Sequence, residues 1–269
     1  AEITLLPALT IHRFLKWNKE GNYFQINENN KSGEKLIIID EVSMLDTFIL
    51  DALLKGVTRD VKIIFIGDEN QLPSVGGGLI LNDLISSQKF THIKLTKIFR
   101  QEKDSYIPYL AKEIREQKLS DSYLIKKSDY NFIETNSRQV KNIITQICNK
   151  GVDHNINHRN MIVLAPIYKG ENGIDNLNIL LQNIFNPAAK DKNELHVADV
   201  IYREWDKVIQ LVNDPDNNVF NGDIGYIDEI NLKSKDILII NFDGNYVSYK
   251  KEDLIKIKHA YAISIHKSQ

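Results

Sequence analysis

Cysteine occurs once in these 269 residues, at Cys148, which excludes an intrachain disulfide framework. It lies in an amphipathic helical pattern, where a small buried apolar residue is expected. No apolar run reaches the length of a bilayer span and no leader-like segment opens the chain, so a cytoplasmic protein is expected. Excess basic charge is missing too: 34 Lys and Arg against 36 Asp and Glu leave a formal net charge of -2, which argues against a histone-like or tail-mediated nucleic-acid binder. A local basic groove stays compatible with that balance, because phosphate contacts along one track need no global charge. Glycine is sparse, at 13 residues, and no stretch fits G-x-x-x-x-G-K-[ST], the loop that cradles β and γ phosphates. Gly76-Gly77-Gly78 has no Lys-Ser/Thr after it, and Lys267-Ser268 has no glycine loop before it.

What is present suffices for two medium domains with their own cores, since 42% of the residues are hydrophobic. The run Leu36-Ile37-Ile38-Ile39 is continuously apolar, the pattern of a parallel strand covered on both faces, and Asp40-Glu41 follow at its carboxyl end. Open α/β sheets place their ligands at that end. Adjacent carboxylates there suit nucleotide hydrolysis, one holding Mg²⁺ through its water shell and the other orienting or deprotonating the attacking water. An Asp-Glu pair can equally end a strand and cap a helix beginning near Ser43. A second apolar run, Val61 to Ile66, leads into Gly67-Asp68-Glu69-Asn70-Gln71-Leu72-Pro73-Ser74-Val75-Gly76-Gly77-Gly78. With a helical segment at about 46–56 between them, the two runs predict a crossover unit whose two polar loops lie side by side. The triple glycine fits a backbone that must approach a ligand or a strand closely. Another helix is expected over 77–87.

Three segments in this order, "DEVSM", "GDENQLPSVGGG" and "LTKIFRQ" (Leu95–Gln101), resemble motifs II, III and IV of superfamily 1 DNA helicases of the 5′-to-3′ branch, most closely the RecD-like family. The resemblance implies ATP and Mg²⁺ as cofactors, with Asp40 on the metal through water, Glu41 as catalytic base and Gln71 as γ-phosphate sensor. A side-chain amide suits a sensor because it donates and accepts at once. Arg100 becomes the candidate finger on the transferring phosphoryl group, a role that suits a planar, permanently charged fork. In relatives the phosphate loop precedes residue 10, so this chain alone should not hydrolyse ATP.

The remaining matches spread over nearly the whole chain. Thr10-Ile11-His12-Arg13 resembles the segment after motif Ia and implies that Thr10, His12 and Arg13 lie beside single-stranded DNA; Thr10 also suits a helix N-cap. Residues 17–35 are turn-rich, and the family implies a hairpin pin there, with Trp17, Tyr23 and Phe24 as an apolar face toward an end base pair. Pro73 and Ser74 are implied DNA contacts. Beyond residue 101, helices are expected near 105–118 and 139–150, and strands at Asn131–Glu134 and Met161–Ala165. The run from Pro166 to Asn178 resembles a RecD-like segment that meets DNA, with Tyr168 for stacking and Lys169 for phosphate; a turn before a helix, capped by Asn172 or Gly173, accounts for the same residues.

A strand is read over Asp206–Val212, and short strands near 225–231, 236–242 and 246–250, the last two joined around Asp243-Gly244-Asn245, suggest a small β-barrel. "VFNGDIG", with Asn221 as an implied DNA contact, resembles the family's entry into an SH3-like barrel. Lys250, Lys251, Lys256 and Lys258 face either phosphate or solvent. Last, "AYAISIHKSQ" resembles motif V and implies DNA contacts at His266, Lys267 and Ser268, with Gln269 at the nucleotide.

The expectation is therefore an α/β chain of two RecA-like parallel-sheet domains of the P-loop NTPase type with an SH3-like insertion. The first domain takes 1–100, the second 101–220 and 256–269, and the barrel 221–255. The function implied is an ATP-dependent DNA helicase for recombination and repair, a monomer acting on single-stranded DNA and its junctions with duplex, with no membrane partner. The alternative is a non-catalytic DNA-binding module that keeps the fold, as the missing phosphate loop would allow. Against it, Asp40, Glu41, Gln71 and Arg100 all remain chemically competent.

Overall fold

The computed structural model describes residues 8–18, 21–95 and 105–265. The chain divides into two compact units, Ala1–Phe132 and Ile133–Gln269.

In the first unit, α1 (Ile11–Phe14) starts at Thr10, whose hydroxyl accepts from the Arg13 backbone N–H at 3.3 Å. A short hairpin follows, β1 (Trp17–Asn18) with β2 (Tyr23–Phe24). The centre of the unit is β3 (Leu36–Ile39), α2 (Thr47–Gly56) and β4 (Lys62–Phe65), the strands pairing in parallel from Leu36↔Lys62 to Ile39↔Phe65. A 3₁₀ turn over Val42–Met44 precedes α2, which Asp46 caps by accepting from Ile49 N–H at 2.8 Å. Then come α3 (Ile80–Ser86) and α4 (Ile107–Arg115).

The core gathers Leu15, Phe24, Ile39, Val42, Leu53 and Leu81. Ile37, Ile63 and Phe65 pack against it, whereas Leu36 and Ile38 stay 51% and 59% exposed. The continuous apolar pattern of β3 predicts two covered faces. Among the described residues the helices cover one, because α2 and α3 pack against a single set of alternating side chains. A second expectation also changes. Phe24 is 9% exposed and sits 4.6 Å from the Trp17 ring, so Phe24 joins the core with Trp17 packed against it, and Tyr23 is the exposed aromatic among the hairpin's described residues. Asn131–Glu134 is not a strand, and among the described residues no strand pairs with it.

The second unit begins with α5 (Val140–Asp153), β5 (Val163–Ala165) and α6 (Ile174–Phe185). Cys148 is buried on α5, as expected, and burial pushes its thiol pKa up. A hairpin of β6 (Glu194–Val197) and β7 (Val200–Arg203) leads to β8 (Lys207–Gln210), β9 (Ile224–Ile230), β10 (Leu238–Phe242), β11 (Asn245–Tyr249), β12 (Ile257–His259) and β13 (Ala262–Ser264). An antiparallel sheet runs β11-β10-β9-β8-β12. The turn between β10 and β11 is Asp243-Gly244, with φ of 51° and 92°, the left-handed pair a tight hairpin needs.

The expected barrel does not close among the described residues. Strands β11 and β12 remain the sheet edges, and the β6–β7 hairpin pairs only with itself. That hairpin still seals the core, because Leu195 and Tyr202 join Val208, Ile227, Ile240 and Val247 in one cluster. Beside this layer, β13 pairs in parallel with β5, from Ala262↔Val163 to Ser264↔Ala165.

Candidate functional site

The first unit offers one polar edge. Because β3 and β4 are parallel and in register at Ile39↔Phe65, the loops that leave their carboxyl ends are neighbours. Asp40 is exposed, and its Oδ1 accepts from the Glu41 N–H at 3.0 Å. Glu41 adopts a left-handed backbone, φ 55° and ψ 44°, a conformation costing an L-residue about 1–2 kcal/mol. That turn lets Val42 enter the core and donate from its backbone to Ile66 O at 3.0 Å, while both carboxylates stay in solvent. Across the gap, Asn70 shapes the second loop by donating from backbone and side chain to Asp68 Oδ1 at 2.9 and 3.0 Å. Glu69 pairs with Lys94. Gln71 is exposed, and its Oε1 accepts from Ser43 Oγ at 3.3 Å.

Asp40, Glu41 and Gln71 are thus brought together, as the spacing predicts. Among the described residues no group of three or more His, Cys, Asp or Glu could enclose a metal ion. Asp40, with one oxygen engaged by a backbone N–H, suits a hydrated divalent cation held through a single carboxylate. Arg100 lies outside the described residues.

The triple glycine makes a close approach to the start of α2. A Cβ on Gly76 would stand 2.5 Å from Asp46 Oδ2, and one on Gly78, at φ +108°, 2.6 Å from Thr47 Cγ2. The Ser74 hydroxyl donates to Gly76 O at 2.9 Å, so it shapes this loop; Pro73 is exposed beside it. His12 and Arg13 are exposed on α1, and the His12 ring lies edge-on to Trp17.

The second unit offers another strand-end edge. Tyr168 and Lys169 follow β5 and are exposed, and Lys258 Nζ sits 5.4 Å over the Tyr168 ring. The loop doubles back tightly onto α6: a Cβ on Gly173 would come 2.5 Å from Tyr168 O, and Asn176 donates to Gly170 O at 2.8 Å. Asn178 of α6 clamps β13, donating to Ala262 O at 2.9 Å and accepting from Ala262 N–H at 2.8 Å. His266, Lys267, Ser268 and Gln269 lie outside the described residues. Asn221 is exposed in the turn before β9, where its backbone donates to Asn213 Oδ1 at 2.9 Å. Lys256 is engaged with Asp253 at 2.8 Å.

Sequence reasoning missed Ser43 and Thr47 as contacts of the second loop, although Ser43 lies in "DEVSM" and Thr47 three residues after it. It also passed over Asp206, read only as the start of a strand. Nothing in local periodicity marks a carboxylate whose donors come from four separate segments.

Comparison with known proteins bears on the family and the fold. Residues 1–137 match a family model described as an AAA domain, and residues 177–242 one described as the ATP-dependent RecD-like DNA helicase SH3 domain. The ATP-dependent RecD2 DNA helicase of Deinococcus radiodurans is 31% identical over 271 residues, spanning 100% of this chain and 35% of that protein. The chain belongs to the RecD-like helicases of superfamily 1. Another RecD-like relative, the RecBCD enzyme subunit RecD of Buchnera aphidicola subsp. Acyrthosiphon pisum, is 28% identical over 97% of the chain and 52% of its own length. The chain thus spans about a third of the first of these relatives and about half of the second. Among solved structures, Bacteroides Pif1 bound to ssDNA aligns with a TM-score of 0.55 at 17% identity, over 97% of this chain and 70% of that one. Bacteroides Pif1 helicase in complex with ADP-AlF3 and ssDNA aligns at 0.56, also with 17% identity, over 97% and 70%. The RecD-like chain therefore has the two RecA-like α/β domains with an SH3-like insertion, the insertion's sheet being open rather than closed.

Proposed function

We propose that the protein containing this chain is an ATP-dependent DNA helicase that moves 5′ to 3′ on single-stranded DNA and opens duplex at junctions. The observation that carries the reading is the convergence of Asp40, Glu41 and Gln71 on one strand-end edge. Asp40 would hold Mg²⁺ through water, and the bound metal would neutralise charge building on the phosphates. Glu41 would orient and deprotonate the attacking water, and Gln71 would report the γ-phosphate. Arg100 and Gln269 complete the proposed nucleotide site. The strand track would use Thr10, His12, Arg13, Pro73, Ser74, Tyr168, Lys169, Asn221, His266, Lys267 and Ser268. ADP-AlF3 and single-stranded DNA in the Pif1 complexes support both ligand classes.

In this reading the RecA-like domains take 1–100 and 101–220 with 256–269, and the SH3-like insertion 221–255, its sheet extending to β8 and β12 on either side of those bounds. The motor is cytoplasmic and monomeric. These 269 residues alone turn over no ATP, because they contain no phosphate-cradling loop.

Glu41→Gln in the full-length protein tests the chemistry. Turnover is expected to fall by about 10²–10⁴-fold, the range of a lost general base, while binding of a fluorescent ATP analogue is retained. Unchanged ATPase activity would refute the base assignment. Strands labelled at one end or the other test direction, and signal from arrival at the 5′ end would overturn the polarity.

A further inference from the structure

The loops after β3 and β4 are tied together at two places by residues four apart in the chain, Ser43 in the 3₁₀ turn and Thr47 at the start of α2. Ser43 Oγ donates to Gln71 Oε1 at 3.3 Å. Thr47 donates from both its backbone N–H and its hydroxyl to Gly77 O, each at 3.0 Å. Between these ties the chain runs Gln71-Leu72-Pro73-Ser74-Val75-Gly76, and Ser74 folds it by bonding Gly76 O. The glycines are what permit the second tie, since side chains at Gly76 or Gly78 would overlap Asp46 and Thr47. Gly67 allows the first, as a Cβ there would lie 3.0 Å from Val42 N and 3.2 Å from Ser43 N.

We propose that Ser43 and Thr47 are positioning residues that fix the two ends of the 71–77 loop, Ser43 holding the Gln71 amide and Thr47 the glycine turn beyond Pro73-Ser74. The inference rests on the proposed roles of Gln71 at the phosphate and Pro73-Ser74 at the strand. A bond accepted at Oε1 selects one of the two orientations of the amide and leaves both Nε2 hydrogens to donate to an anionic oxygen. Because both ties spring from the segment that follows Glu41, a shift at the phosphate end moves the strand-contacting end as one body. Ser43 and Thr47 touch neither ligand; they act through Gln71 and Gly77.

The test uses the full-length protein, with steady-state ATPase kinetics at varied ATP and varied single-stranded DNA. Ser43→Ala is expected to lower kcat about tenfold, the kinetic equivalent of one lost hydrogen bond, with KM for ATP within about twofold. Ser43→Thr, which keeps the hydroxyl, restores kcat. Adding Ser43→Ala to Gln71→Ala lowers kcat no further, because the group being positioned is gone. Thr47→Val keeps the branched shape and is expected to raise the DNA concentration for half-maximal stimulation about fivefold. If Gln71→Ala leaves turnover unchanged, the reading of the site fails and this inference with it. If Gln71→Ala cripples turnover while Ser43→Ala is silent, or the two effects multiply, the positioning role is overturned and the site reading stands. A Thr47→Val protein with an unaltered response to DNA overturns the second tie.

Discussion

Asp206 is fully buried, yet its carboxylate is saturated with donors: Gln182 at 2.6 Å, Asn186 and the Arg203 N–H at 2.7 Å, Tyr261 at 2.9 Å and His259 at 3.0 Å. A buried charge is tolerable only when its lone pairs are met in this way. The same charge, after burial itself, holds the Tyr261 hydroxyl protonated well above its ordinary range, so it stays a donor. Burial first and Asp206 second raise Tyr202 to about 12. Neighbouring Lys207 is buried with backbone carbonyls for partners, Arg159 O at 3.2 Å and Met161 O at 3.1 Å, and desolvation lowers its pKa. Asp206→Ala would strand these donors, and a loss of about 3–5 kcal/mol is expected, read as a lower denaturant midpoint with an unchanged slope. A loss below about 1 kcal/mol would show that water replaces the carboxylate. In the sequence Asp206 is one acidic residue among many, since its partners are assembled by α6 and its C-cap, β7, β12 and the link from β12 to β13.

At the scale of elements, the turn joining α5 to β5 shows how packing sets a titration. His158 stacks on Phe185 of α6 with ring centroids 6.0 Å apart, and Arg159 lies 4.3 Å over the Tyr226 ring. Burial, then the charges of Arg159 and Lys207, lower the His158 pKa against the opposing pull of Asp206. The unfolded chain therefore binds the proton first, near the ordinary value of about 6.5. Stability from this site is complete above that value and is lost as pH falls through it toward the lower folded pKa. The melting temperature is expected to drop between pH 7.5 and 5.5, and His158→Gln to flatten part of that slope. An identical slope in the variant would assign the effect elsewhere. Elements were the most legible scale in the sequence. The runs 36–39 and 61–66, the helix before the second run, and the Asp243-Gly244 hairpin all form where pattern and turn chemistry place them. The exceptions share one cause: a strand's cover, a barrel's closure and the pairing that Asn131–Glu134 lacks among the described residues all depend on segments distant in the chain.

For the whole molecule, the near-neutral charge makes a salt test informative. With a formal net charge of -2, the proposed attraction to single-stranded DNA would draw on local cations such as Lys169, Lys258 and Arg13. Binding of a single-stranded oligonucleotide by this chain, followed by anisotropy without nucleotide, is expected to weaken with salt at about -0.7 in log K per log salt for each phosphate engaged. A total slope of about -2 to -4 would fit a short track; a flat response would remove phosphate from the recognition.

The sequence by itself determined the order of the chemistry-bearing segments, the strand–helix–strand unit that carries Asp40 and Glu41, and the family, because these rest on local pattern and on spacing along the chain. Only the tertiary structure decided that Ser43 and Thr47 hold the neighbouring loop, that Phe24 belongs to the core, that the SH3-like sheet stays open, and that Asp206 is a hub. Each of these depends on which residues meet in the folded chain, and on distances that no local pattern encodes.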